Sequence, residues 1–209
     1  MDDIEKVFAD SEALADHLLS LTRLPLFDDS ERIRVSDLLC ALSFEHWTAV
    51  RRLLSAGLLP SALVVHRAQF EAVVRSIWAL YAATDEQIGR LNDSQLTLES
   101  EQAAKNLPLV HDMMATLAKK APAEAFNALE RFKTHSWLAL NSYAHAGIHP
   151  IRRHESGYPI ELIDSAMCNA NGVAVLGAMQ AVVLSGVQPL QRAVLDLAAR
   201  YPHCMPPPL

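Results

Sequence analysis

The sequence predicts an all-α fold, a bundle of roughly six to nine helices in one domain. Three observations predict it. Ala, Leu and Val dominate a chain that is 51% hydrophobic but only 6% aromatic, a composition that favours tightly packed helices. Glycine occurs seven times in 209 residues, too seldom for the regular turns of an all-β chain. Apolar residues recur at helical spacing along most of the length. A chain of this size buries a sizeable core without disulfides or metals.

The first helix is expected from about Asp3 to Leu21, where Ile4, Val7, Phe8, Leu14, Leu18 and Leu21 share a stripe. Pro25 ends that region, and Asp28, Asp29 and Ser30 offer an N-cap for a long second helix. Its apolar stripe reads Val35, Leu38, Leu39, Leu42, His46, Val50, Leu53 and Leu54. Gly57 suits the position after its end, and Pro60 the first turn of a third helix running to Ala83. That helix is apolar nearly all round, which predicts a central place. Thr84 and Gln87 form a T-x-x-Q capping box for a short helix. Ser94 to Asn106 reads as an exposed helix, followed by helices at Leu109 to Lys119 and Ala123 to Ala146, with Pro122 between them. Gly147 and Pro150 stop the latter, and Ile148 to Pro159 reads as an irregular basic loop.

The last pair of helices is expected at Ile160 to Ser185 and Pro189 to Arg200. Within it, Gly172 to Leu190 is apolar enough to raise the question of a membrane span. Gln180, Ser185 and Gln188 interrupt it, and ~20 residues are needed to cross, so a core helix or a dimer seam is the expectation. Residues 1–201 form one helical domain in this reading, and residues 202–209 a Pro-rich, extended and disordered tail.

The formal charge of −6 and a pI near 5.8 argue against general adhesion to nucleic acid or an anionic membrane. They leave room for a local basic pocket. Cys40, Cys168 and Cys204 have no ligand-like spacing and read as reduced thiols of a cytoplasmic protein. The acidic start Met1-Asp2-Asp3 has no apolar signal region. No phosphate-binding glycine loop, nucleophile elbow or H-E-x-x-H motif is present, and no cofactor is expected.

Two polar sets do not fit a plain core. Arg67, Glu71 and Arg75 are spaced i, i+4, i+8, and Arg67 and Glu71 share a face with Leu63, Val74, Trp78 and Tyr81. A charge buried there needs a partner. As a purely structural pair, its rupture would cost ~3–5 kcal/mol. The second set closes the Ala123–Ala146 helix. Asn141 and His145 share a face with Trp137 and Leu138, and Tyr143, His149, Arg152, Arg153 and His154 surround the following turn. The helix C-terminus favours protonated His145 and the nearby arginines oppose it. That balance suits a general acid or base working near neutral pH. His135, His145, His149 and Glu71 could alternatively hold a metal.

The stretches His66-Arg67-Ala-Gln-Phe-Glu71-Ala-Val-Val-Arg75 and Leu140-Asn141-Ser-Tyr143-Ala-His145-Ala-Gly147-Ile-His149, with Arg152-Arg153 following, together resemble an uncharacterised family of bacterial helical proteins. The second stretch is also similar to the HEPN superfamily of helical RNases, whose motif is R-N-x-x-x-H near a helix end, often completed across a dimer. Asn141-Ser-Tyr-Ala-His145 matches the N-x-x-x-H part, and Leu140 stands at the arginine position. The resemblance implies a HEPN-like protein of a bacterial toxin–antitoxin, stress or phage-defence system and a metal-independent ribonuclease. His145 would be its acid/base, Asn141 its orienting residue, Arg67, Arg75 or Arg152 its cation, and Glu71 the brace. Arg75, Tyr143, His149, Arg152 and Arg153 would bind substrate. The expected partners are RNA, a partner protein or antitoxin, and a second copy of the chain, with no membrane. The alternative is a non-catalytic interaction or anion-binding module that uses the same cluster as internal glue.

Overall fold

The computed structural model describes residues 3–93 and 95–207. Met1 and Asp2, Ser94, and the end of the tail at 208–209 lie outside them. The described residues form ten α-helices and no strand. In chain order these are α1 (Asp3–Leu21), α2 (Glu31–Ser55), α3 (Leu59–Tyr81), α4 (Asp85–Leu91), α5 (Leu98–Lys105), α6 (Val110–Lys120), α7 (Ala123–Ala144), α8 (Ile148–Ser156), α9 (Ile160–Ser185) and α10 (Pro189–Ala199).

Local signals set most boundaries. Gly57, just past α2, has φ +74°, and Pro60 sits in the first turn of α3. The Thr84 hydroxyl accepts from the Gln87 backbone N–H, and the Gln87 side chain accepts from the Thr84 N–H, so the capping box of α4 is complete. The tenth helix is α8, where a loop was expected. Pro150 is the third residue of α8, where a missing N–H costs no intrahelical bond. The Ser142 hydroxyl accepts the His149 N–H at 3.0 Å and Arg152 pairs with Glu155 at 3.0 Å, which gives the short helix its start and its side-chain support.

Helix α3 is the axis of the bundle, with α2, α6, α7 and α9 packed around it. Its most extensive neighbour is α2. The buried face of α2 is rotated from the one that hydrophobicity alone predicts: Leu38 and Leu42 are 65% and 40% exposed, whereas Ser36, Cys40, Ser43 and Trp47 are buried. The cause is a small polar seam. The Ser36 hydroxyl donates to the Ser76 carbonyl at 2.9 Å, the Ser76 hydroxyl donates to the Ser36 carbonyl at 2.8 Å, and Gln180 Nε2 donates to Ser36 Oγ at 3.1 Å. Satisfied hydroxyls bury at little cost and let α2, α3 and α9 approach closely.

Helix α9 passes the length and hydropathy test for a membrane span, and 67% of its most apolar window is buried inside the bundle. That is the position of a core helix. Asn171 on α9 joins four parts of the chain. Its Oδ1 accepts from Ser11 Oγ on α1 at 3.0 Å and from Trp47 Nε1 on α2 at 2.9 Å, and its Nδ2 donates to the Cys204 carbonyl at 2.8 Å. The segment after α10 therefore differs from the disordered tail expected from its prolines. Pro202–Cys204 form a 3-10 turn, the Cys204 side chain is fully buried, and Pro206 lies over Gly172.

Two apolar clusters fill the bundle. One is built mainly from α1, α2, α3, α9 and α10 with Leu140 and Tyr143 of α7, the other mainly from α3, α6 and α7 with Val35, Ile88 and Val173 of α2, α4 and α9, and Phe132 of α7 packs against both. All three cysteines are free and buried, and burial is the main cause that pushes the Cys40 and Cys168 thiols up to about 12 and Cys204 to about 11. They are inert core thiols at neutral pH.

Candidate functional site

The polar residues of α3 and α7 meet along an antiparallel seam. Leu129 of α7 lies in the cluster with Phe70 and Val73, and Leu140 in the one with Leu59 and Leu63, so rising numbers on α3 face falling numbers on α7. Arg67 donates to Glu71 at 2.9 Å and its guanidinium lies 5.1 Å from the Trp137 ring centroid. The side chains of this pair are 25% and 31% exposed, at the edge of the seam. This corrects the expectation of a buried pair: a part-exposed i,i+4 pair contributes less than about 1 kcal/mol, and the cation–π contact adds a similar amount. Asn141 follows Trp137 by one turn. Its Oδ1 and Arg67 Nε are both buried and have no hydrogen-bond partner among the described residues. Arg75, two turns beyond Arg67 on α3, is half-buried.

The adjoining residue His66 is 1% exposed and was not among the expected site residues. Its Nδ1 bonds Gln69 Oε1 at 2.9 Å, and Gln69 Nε2 donates to the Ala170 carbonyl of α9 at 2.9 Å. Because the Gln69 oxygen must accept, His66 carries its proton on Nδ1. Its Nε2 is then a buried acceptor, and it has no partner among the described residues. The ring meets Phe132 edge-on at 5.2 Å. Burial drives its pKa from 6.5 down to about 4, with the Gln69 bond opposing, so the ring is neutral at pH 7.

The second group surrounds the elbow between α7 and α8. His145 caps α7, where its backbone N–H donates to the Asn141 carbonyl at 3.1 Å, and its side chain is exposed. Tyr143 points the other way, into the core, 7% exposed, with the His149 ring stacked at 6.1 Å. Burial and then Tyr158 push the Tyr143 hydroxyl up, and Arg153 partly offsets them. His154 Nδ1 and the Tyr158 hydroxyl share a hydrogen bond. His149 and Arg152 are exposed and Arg153 half-buried. Leu140 is 3% exposed in the core, so its side chain is directed away from the elbow.

Chain geometry at the elbow depends on two adjacent residues. Ala146 takes φ +50°, a left-handed conformation that costs a non-glycine residue ~1–2 kcal/mol. A Cβ on Gly147 would lie 2.6 Å from Ser142 Oγ and 3.3 Å from Ser142 Cα. Gly147→Ala is therefore expected to displace the Ser142 hydroxyl from the His149 N–H and cost about 1–2 kcal/mol. Ala146→Gly, one position earlier, should leave stability unchanged or raise it by up to about 1 kcal/mol. Thermal unfolding of both variants checks this, and equal effects would contradict the geometry.

The nine expected site residues thus fall into two groups joined along α7. Arg67, Glu71 and Asn141 lie in the α3–α7 seam with Arg75 further along α3, and Tyr143, His145, His149, Arg152 and Arg153 lie at the elbow. Trp137 to His145 is two turns of helix, or ~12 Å. His135 bonds the Arg131 carbonyl and Glu71 is held by Arg67. Among the described residues no three His, Cys, Asp or Glu side chains converge as metal ligands would, so the proposed His/carboxylate set is not assembled. Gln69 and Tyr158 were missed, and His66 and His154 were named in their stretches without a role. The i, i+3 spacing of His66 and Gln69 on an otherwise apolar face is the signal that could have found that pair.

The fold and these groups define an all-helical domain with a polar α3–α7 seam and a basic helix–helix elbow. The chain belongs to DUF6988, a family of unknown function, whose model matches residues 40–207. That span holds both polar groups. Neither a curated protein nor a solved structure matches the chain.

Proposed function

We propose that this chain is a HEPN-like domain of a bacterial stress, toxin–antitoxin or phage-defence system, working in the cytoplasm on RNA at the α7–α8 elbow. The observation that carries this reading is the exposed His145 at the end of α7, one turn after Asn141 and immediately before the basic residues His149, Arg152 and Arg153 of α8. RNA brings its own nucleophile: the 2′-hydroxyl attacks the adjacent phosphorus as the bond to the 5′-oxygen breaks, giving a 2′,3′-cyclic phosphate and a 5′-hydroxyl. One group that takes the 2′ proton and returns it to the leaving oxygen, with a cation at the phosphate, therefore suffices. His145 takes or returns the proton. The cation at the reacting phosphate comes from Arg152 or Arg153, because Arg67 stands beside Trp137, ~12 Å along α7 from His145. Arg67 and the Asn141 amide hold a neighbouring part of the strand. Buried free thiols suit the reducing compartment this reading requires.

The test is cleavage of total cellular RNA by purified protein, with and without divalent metal, beside His145→Ala of matched stability. Loss of cleavage in the variant is expected, by about 100-fold or more. Cleavage retained by the variant, or none by the wild-type protein under any condition, overturns the reading.

A second reading is an interaction or anion-binding module without chemistry. Leu140 in the core at the arginine position and the Arg67 charge engaged by Glu71 and Trp137 favour it. It expects His145→Ala and Glu71→Ala to alter stability by less than about 1 kcal/mol and anion binding to weaken with no change in any RNA sample.

A further inference from the structure

A groove of about 1550 Å³ is lined mainly by α7, α9 and α10. Its floor is the half-buried stripe Leu176, Met179 and Val183 of α9, and Ala128 and Phe132 of α7 and Leu195 of α10 line its sides. These residues recur at three- and four-residue spacing on each helix, the pattern that receives another helix. The volume exceeds the ~300–1000 Å³ of ordinary small-molecule pockets. Its rim is basic. Arg131 and His135 are exposed there, Arg131 has no ion pair among the described residues, and Glu124 is the acidic residue among the lining groups.

The same chain carries a helix, α5, that packs on one side only, through Ala104 against the second apolar cluster. No residue of α5 is buried, although an eight-residue helix is marginal by itself. Leu96 and Leu98 at its start are 93% and 77% exposed. Asp93, Glu99 and Glu101 beside them are exposed too. The segment is apolar at its start and acidic on its flank, and the groove is apolar at its floor and basic at its rim.

We propose that α5 of a second copy, led by Leu96 and Leu98, seats in this groove, with Glu99 and Glu101 facing Arg131 and His135. Each copy offers one such helix and one groove, and the two copies exchange them about a twofold axis, which closes the pair as a dimer, whereas a one-way exchange would run on as a ring or filament. It stands independently of any chemistry at the elbow.

Sedimentation of the full chain across the micromolar range tests it. The wild-type protein is expected to be a dimer. Leu96→Asp with Leu98→Asp is expected to be a folded monomer, because neither leucine packs within its own copy. Arg131→Glu alone, and Glu99→Lys with Glu101→Lys alone, should each weaken association about tenfold. Mixing these two charge-reversed proteins should restore a heterodimer, since both contacts then pair opposite charges. A monomeric wild-type chain, a dimer indifferent to the leucine changes, or reversal without rescue each overturns the proposal.

Discussion

Replacing Asn171 with leucine is expected to cost the domain about 4 kcal/mol of stability, a large share of a typical domain's total. The side chains are similar in volume, so the loss comes from hydrogen bonds. The change leaves Trp47 Nε1, Ser11 Oγ and the Cys204 carbonyl without their partner in a place that water does not reach. Each orphaned group costs roughly 1–3 kcal/mol. Urea unfolding measures the total, and hydrogen exchange should show the 202–207 segment opening before the rest. A loss below about 1 kcal/mol would mean that the junction of α1, α2, α9 and the chain end does not depend on this amide.

The second expectation concerns acid. Lowering the pH from about 7.5 to about 5 is expected to remove about 2 kcal/mol of stability through His66 alone. The sign follows from the shift. The folded ring holds its proton with a pKa of about 4, against 6.5 for the unfolded chain. The unfolded state therefore binds more protons between those values, and stability falls as pH drops from 6.5 towards 4. The physical cause is burial: the ring is 1% exposed, and the hydrogen-bond and ring partners resolved around it are Gln69 and Phe132, neither of them charged. His66→Leu should flatten this part of the pH profile, read as the difference between variant and wild-type unfolding midpoints from about pH 7.5 to about pH 5. Parallel profiles for the two proteins would show that the ring charges without penalty.

Both residues lie in the span matched by the family model, and neither stood out as a site residue in the sequence. No sequence pattern marked Asn171, and His66 read as part of a resembling stretch. Asn171 is singled out by partners 33 to 160 positions away, and His66 by its burial against Phe132 and by the bond from its neighbour Gln69 to the Ala170 carbonyl of α9. Arg67 and Glu71 show the reverse. Their i,i+4 pairing was legible from spacing, but their burial was not, because the depth of that face depends on how closely α7 covers it. The elbow was legible as a cluster and misread as a loop. Pro150 stops a helix when it falls in the middle of one and is tolerated when it falls in the first turn, and the chain reversal at Ala146 and Gly147 decides which applies.

By itself the sequence determined the helical class, the order of the helices and most of their ends. Those features rest on contacts within a few residues: apolar spacing, the Thr84–Gln87 box, Pro60 and Gly57. Tertiary structure alone decided which polar groups are buried and what they hold. Ser36, Ser76 and Asn171 sit in the core with partners on other helices that satisfy them, and which residues those partners are depends on how the helices pack in three dimensions.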